Sequence, residues 1–304
     1  TAQQLGIPVV LVKGAAAAKA YPEAWMRPFG DIDVLVRKED AHGFVEALRA
    51  QGYTRTEGTE GTRGWHLPPL QPAGRGLSVE IHTALAWDQG RSYFTIDQWK
   101  GHLHPTKYPG LQMLPAVDHV LYLTHHGAVH HGFEMGVQPL TDIYFWTQGW
   151  TRRDWEALAE KAHGAQLHRA VCLCLALTAW FWDEPLTAEV AALFPDPEPP
   201  IVTLSQTKAL GTASQWGPHL WRDASGYNLP GILRFAKLTL LGDPAQLRAL
   251  TLAERIKYHL QRPFKLIQRH SASMWRLLTG DPATRATWDA QRELQTWLRG
   301  EKER

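Results

Sequence analysis

Cysteine is nearly absent from this chain: Cys172 and Cys174 are the two in 304 residues. Two thiols two positions apart on a helix point to different sides and build no disulfide framework, which fits a reducing, cytoplasmic compartment. Long apolar runs are missing too. The longest, residues 170–182, is stopped by Asp183, Glu184 and Pro185. It falls short of the roughly 20 residues that span a bilayer. It reads as a buried helix, and no membrane partner is expected. No signal-peptide pattern is visible. Residues 1–6 read as the tail of a helix already under way, so further residues are expected before Thr1. An excess of one charge is also lacking. The 32 Lys and Arg against 30 Asp and Glu leave a net charge of +2, which gives no general case for binding nucleic acid or membrane surfaces. What remains is ordinary for a globular protein, with 44% apolar and 20% charged residues. The length suits two domains or one large one. Tryptophan is plentiful at 14, and many of these residues fall in the second half, where they fit packing between helices.

The informative stretch is residues 9–36, VVLVKGAAAAKAYPEAWMRPFGDIDVLV. An apolar strand, residues 7–12, leads into Lys13-Gly14. An Ala-rich helix over residues 14–21 follows and stops at Pro22. A turn, Arg27-Pro28-Phe29-Gly30, then delivers Asp31-Ile32-Asp33 at the head of a second apolar strand, residues 31–36. Residues i and i+2 of a strand share a face. Asp31 and Asp33 therefore project together while Ile32 faces a core. Two carboxylates on one face repel each other and lose solvation if buried. Either they are solvated at a strand edge, or they hold a cation, for which hard divalent ions with oxygen ligands are the natural candidates. Glycine at position 14 lets the backbone approach a ligand, and the amides of a helix starting there would face an anion. A phosphate site beside a cation site points to a metal–nucleotide site.

A third carboxylate follows in Leu77-Ser78-Val79-Glu80-Ile81-His82. Its alternation puts Glu80 and His82 on one face and Val79 and Ile81 on the other. Strand, turn, helix, Asp-x-Asp strand, then a later strand with one acid resembles the DNA polymerase β nucleotidyltransferase superfamily. More narrowly, LVKGAAAAKAY, the Arg, GDIDVLV, the Gly-Tyr and VEIH resemble the uncharacterised nucleotidyltransferase family, in which Lys-Gly takes the place of the superfamily's Gly-Ser. The resemblance spans roughly residues 7–85. It implies that Asp31, Asp33 and Glu80 hold Mg²⁺ or Mn²⁺ and carry catalysis. It also implies that Lys13, Gly14, Arg27 and His82 serve an NTP. Arg27 is alternatively a surface residue of a turn.

Further along, residues 38–51 place Ala41, Phe44, Val45 and Leu48 on one helical face, with Gly52 as the C-cap. Residues 53–57 and 65–67 read as paired strands, and residues 77–82 as another. Residues 88–109 read as irregular. From Pro115 the pattern turns helical, with helices expected over 116–128, 152–163, 166–182, 187–193, 232–241, 251–262 and 282–304. Thr151 with Asp154, and Thr251 with Glu254, form capping boxes. The run PDPEPP at 195–200 reads as a stiff linker. The expected class is α+β, with a mixed-sheet catalytic domain over residues 1–110 and a helical domain over 111–304.

His125, His126, His130 and His131 crowd the start of the helical part. His126 and His130 are i and i+4, as in zinc proteases, but Gly127 stands where that motif needs Glu. The family resemblance implies instead that His126, His130 and Asp142 lend polar groups to the nucleotide cleft. Core or surface histidines are the alternative. The basic segment 255–269 fits a solvated helix face or an RNA contact.

The leading expectation is a Mg²⁺-dependent transferase that moves an NMP from an NTP to an acceptor hydroxyl on an RNA end, a protein, a peptide or a small molecule. The rival is a catalytically silent nucleotide-binding or antitoxin-like module on the same fold, since fold does not fix function and Lys-Gly lacks the Ser hydroxyl. A weaker third is a zinc hydrolase using the histidines.

Overall fold

The computed structural model describes residues 1–55, 66–88, 91–211, 260–261, 279 and 281–300. Contacts group the chain into two units, residues 1–123 with 142–158, and residues 124–141 with 159–304.

In the first unit a short helix α1 (Ala2–Leu5) closes at Gly6 in the left-handed region, φ 64°. The apolar run Val9–Val12 then becomes β1, buried at all four residues. Burial on both faces is what its uninterrupted Val/Leu composition demands. It is followed at once by α2 (Lys13–Ala17), a single turn that tightens into a 3-10 segment at Ala18–Ala20. Then come β2 (Asp31–Leu35), α3 (Ala41–Arg49), β3 (Thr54–Arg55), β4 (Leu70–Gln71) and β5 (Ser78–His82). A separate hairpin, β6 (Ala86–Asp88) with β7 (Arg91–Tyr93), precedes β8 (His104–Pro105) and β9 (Leu111–Met113). The main sheet has seven strands in the order β3-β4-β5-β2-β1-β9-β8. It is mixed: β1 is antiparallel to β2 but parallel to β9, and β2 is parallel to β5. The class is α+β.

Each sheet face has its own core. Val9, Leu11, Val34, Val36, Val79 and Ile81 pack with Ala41, Phe44, Val45 and Leu48 of α3. The periodic face of α3 is thus what covers that side, each large side chain worth about 2 kcal/mol of burial. On the other face Val10, Val12 and Leu35 pack with Leu85, Ile96, Trp99, Leu114 and Tyr122. Tyr122 belongs to α4 (Ala116–Thr124). Two further helices, α5 (Gln138–Thr147) and α6 (Arg152–Gly164), run from one unit into the other.

Several local expectations shift. The partner of β3 is β4, not residues 65–67; of these, Leu67 donates its amide to Ile81 O and His66 makes an isolated bridge to His82. The described residues of 88–109 are not irregular, for they carry the last residue of β6, β7, a 3-10 turn at Ile96–Trp99 and β8. Strand β9 pairs 102 residues away with β1 (Val9 with Leu111). A three-residue strand has too few positions for alternation to show, and its pairing is entirely non-local. The expected helix 116–128 ends at Thr124 and continues as a π-helical turn, His125–His130.

In the second unit α7 (His168–Trp182) is the buried helix, with Ala170 to Leu175 all inside. Burial raises the Cys172 thiol to about 11 and Cys174 to about 12, so neither is a ready nucleophile. Thr187 caps α8 (Ala188–Leu193) by accepting from Val190 N. The expected linker 195–200 ends inside a helix. Pro199 and Pro200 open α9 (Pro199–Leu210), where the first turn needs no donor N–H. The last described helix, Pro282–Leu298, buries Leu294 and Leu298. Gln295 Nε2 donates to Val129 O at 3.1 Å, and Arg169 donates to Trp297 O at 2.9 Å. The helices expected over 232–241 and most of 251–262, the second capping box and the basic segment lie outside the described residues. The Thr151 box is present: its amide and hydroxyl both donate to Asp154 Oδ2, at 2.9 and 2.6 Å. No helix among the described residues is long and apolar enough to cross a membrane.

Candidate active site

The pairing of β2 with β5 builds the site. In that parallel register Asp33 lies opposite Glu80, Asp31 opposite Ser78, and Leu35 opposite His82. Period-two alternation then sends Asp31, Asp33, Glu80 and His82 to one side of the sheet. This is the side of Val12, because Val12 is the register partner of Asp33 across β1. Lys13 is the next residue along. It turns the chain out of β1 with φ 50°, a left-handed backbone that costs a side-chain-bearing residue about 1 kcal/mol or more.

Lys13 reaches into the carboxylates. Its Nζ is 2.5 Å from Asp33 Oδ1, 3.4 Å from His82 Nε2 and 3.9 Å from Glu80 Oε2. His82 Nε2 sits 2.7 Å from the same Asp33 oxygen. Asp33 and His82 are almost fully buried, while Glu80 keeps 26% of its side chain exposed. Ligand atoms of Asp33, Glu80 and His82 all lie within 4.8 Å of one another. Asp31 lies outside that cluster of three but feels it electrostatically.

The carboxyls respond differently to this crowding. Burial, and after it the charge of Asp33, pushes Asp31 above the usual carboxylate range. Burial pushes Glu80 up as well, and the pull of Lys13 does not cancel it. Burial acts on Asp33 in the same direction, but the His82 hydrogen bond and the Lys13 charge outweigh it and hold Asp33 low. Burial also lowers His82, favouring the neutral ring that donates one hydrogen bond to Asp33. Three acids thus face one ammonium, a negative excess that suits a cation.

The other expected site residues are placed as follows. Gly14 is buried, and a Cβ there would meet Phe29 Cβ at 2.6 Å; the glycine is required by that contact. Arg27 is 7% exposed and Asp142 2%. The Arg27 guanidinium donates from Nε to Asp142 Oδ1 at 2.7 Å and from NH2 to Oδ2 at 2.9 Å, and NH1 donates to the Pro28 carbonyl. Tyr21 adds its hydroxyl to Asp142 Oδ1 at 2.6 Å. Arg27 still lowers Asp31 through space. His126 and His130 belong to the second unit, where their rings stack at 5.7 Å and each meets His131 at 4.5 Å. Tyr122 is a residue that sequence reasoning missed. It is fully buried, and its phenol is pushed up by burial and then by the charges of Asp33 and Glu80. Nothing in its helical neighbourhood marks it, since only the fold brings α4 to that sheet face.

Comparison with known proteins points to one family. The family model described as uncharacterised nucleotidyltransferase matches residues 2–183. No curated protein matches the chain.

Proposed function

The chain belongs to the uncharacterised nucleotidyltransferase family, and on that premise we propose that it moves an NMP from an NTP to an acceptor hydroxyl with the help of divalent ions. The observation that carries this is the convergence of Asp33, Glu80 and His82 donor atoms within 4.8 Å, with Asp31 adjacent and charge in excess. Oxygen-rich donors with surplus negative charge fit Mg²⁺ or Mn²⁺. Asp33, Glu80 and Asp31 would hold such ions, which when bound stabilise the entering and leaving oxygens of an in-line displacement. Glu80, still reachable by solvent, takes the proton of the acceptor hydroxyl. The acceptor oxygen bonds to the α-phosphorus as the bond to pyrophosphate breaks. Lys13 neutralises the phosphates. His82 holds Asp33 in place through its hydrogen bond.

One observation favours a second reading. Gly14 stands where the superfamily's Gly-Ser carries its hydroxyl, and the ammonium of the preceding Lys13 already lies against Asp33. That is what a silent nucleotide-binding or antitoxin-like module would retain. Calorimetric titration of each NTP with Mg²⁺, on the wild type and on Asp31→Asn/Asp33→Asn, together with a turnover assay, separates the two. The transferase reading expects one NTP to bind only with Mg²⁺ and both aspartates, and Asp33→Asn to abolish transfer while the fold stays intact. Wild-type turnover in Asp33→Asn refutes this site. Nucleotide binding without turnover supports the silent module.

A further inference from the structure

The best-placed cation of the acid cluster is part of the chain itself. Lys13 Nζ touches Asp33 Oδ1 at 2.5 Å and faces His82 Nε2 at 3.4 Å and Glu80 Oε2 at 3.9 Å. These are the same three side chains whose donor atoms converge. A divalent ion binding there needs oxygen contacts of roughly 2.0–2.6 Å, so it and the ammonium compete for the same Asp33 oxygen. The lysine has a long, rotatable stem, so it can leave. Its backbone, at φ 50°, is held in a conformation lysine does not favour, and the ammonium–carboxylate contacts are what that position secures.

Resting on the transferase reading, we infer that Lys13 is a built-in counter-ion that blocks metal binding until a triphosphate arrives. Without nucleotide it offsets part of the charge of the three carboxylates. A triphosphate offers the ammonium a new anionic partner and frees Asp33 for the dication. Metal and nucleotide therefore load together, and the free enzyme binds divalent ions poorly.

Water-proton relaxation enhancement with Mn²⁺ tests this on the full chain, because it reads protein-bound metal and not turnover. Wild type, Lys13→Met, Lys13→Arg and Asp33→Asn are compared, with and without inorganic tripolyphosphate. Lys13→Met is expected to bind Mn²⁺ alone about thirtyfold more tightly than wild type, the factor that removing one like charge about 4 Å from a dication gives even in water. Lys13→Arg keeps the charge and stays weak. Tripolyphosphate is expected to tighten Mn²⁺ binding by wild type by about tenfold or more and to add little to Lys13→Met. The metal-free melting temperature of Lys13→Met falls and Mn²⁺ restores it. Equal, Asp33-dependent binding by wild type and Lys13→Met overturns the inference but leaves the metal site standing. Binding that Asp33→Asn does not change, or none in any form, overturns both. Should Lys13→Met fail to fold, the wild-type response to tripolyphosphate decides alone, and its absence overturns the inference.

Discussion

Two charged constellations lie in the same unit, and they differ in how completely they are closed. Around Asp142 every charge is matched: Arg27 grips both carboxylate oxygens, Tyr21 adds a hydroxyl, and the third nitrogen of Arg27 has the Pro28 carbonyl. Around Asp33 one ammonium answers three carboxylates, two of which are pushed above their usual range. The first arrangement is a buried pair whose opposite charges meet directly. The second has unbalanced charge, partial exposure at Glu80 and a displaceable counter-ion. A closed buried ion pair holds structure, whereas an open one is where chemistry is expected.

Variants break this contrast in opposite directions. The largest stability loss is expected at the closed site. Arg27→Met strands a buried Asp142, which should cost about 3–5 kcal/mol, read as a fall in denaturation midpoint with an unchanged slope. A loss under about 1 kcal/mol would show that the pair is no more than a surface-like contact. At the open site Glu80→Gln should do the reverse. A carboxyl whose folded pKa is raised favours folding when protonated, so its stabilising contribution is full below the ordinary value and is lost as pH rises through the folded value. Glu80→Gln is therefore expected to raise the metal-free melting temperature at pH 7 while abolishing transfer. That gain should fade as pH falls through the raised folded value and be gone by about 4.5, the ordinary value. Asp33 has the opposite sign: its contribution is present above the ordinary carboxylate range and disappears on acidification. Melting curves between pH 3 and 7 for both forms check the pair of signs. The smallest effect sharpens the closed site. Tyr21→Phe removes one hydrogen bond to a charged partner and should cost about 1.5–3 kcal/mol, with nucleotide binding unaltered. Altered NTP affinity would place Tyr21 within the site's reach.

The opening stretch could be read at the level of local pattern because its alternation and its composition agree. An all-apolar Val9–Val12 must be buried on both faces, and Asp-x-Asp must share a face. The helix face of Ala41, Phe44, Val45 and Leu48 was equally plain, for four apolar residues at helical spacing have one way to be buried together. The short strands were not legible. Two- and three-residue strands such as Leu70–Gln71 and Leu111–Met113 owe their existence to partners elsewhere in the chain. PDPEPP misled because proline at a helix start and proline in a linker look alike in sequence. At the site, the three acids were visible as residue types, but not that His82 rather than Asp31 completes the tight cluster with Asp33 and Glu80. Nor was it visible that Arg27 and Asp142 would pair with each other.

By itself the sequence determined the family, the carboxylate face of β2 and β5, and the apolar periods that fill the cores. These depend on neighbours within a few residues, where strand and helix geometry is fixed. The tertiary structure alone decided where Lys13 points, what completes the acid cluster and which charges are already matched. Those outcomes depend on strand register and on contacts between residues far apart in the chain, from Lys13 to His82 and from Arg27 to Asp142, and no local pattern carries that information.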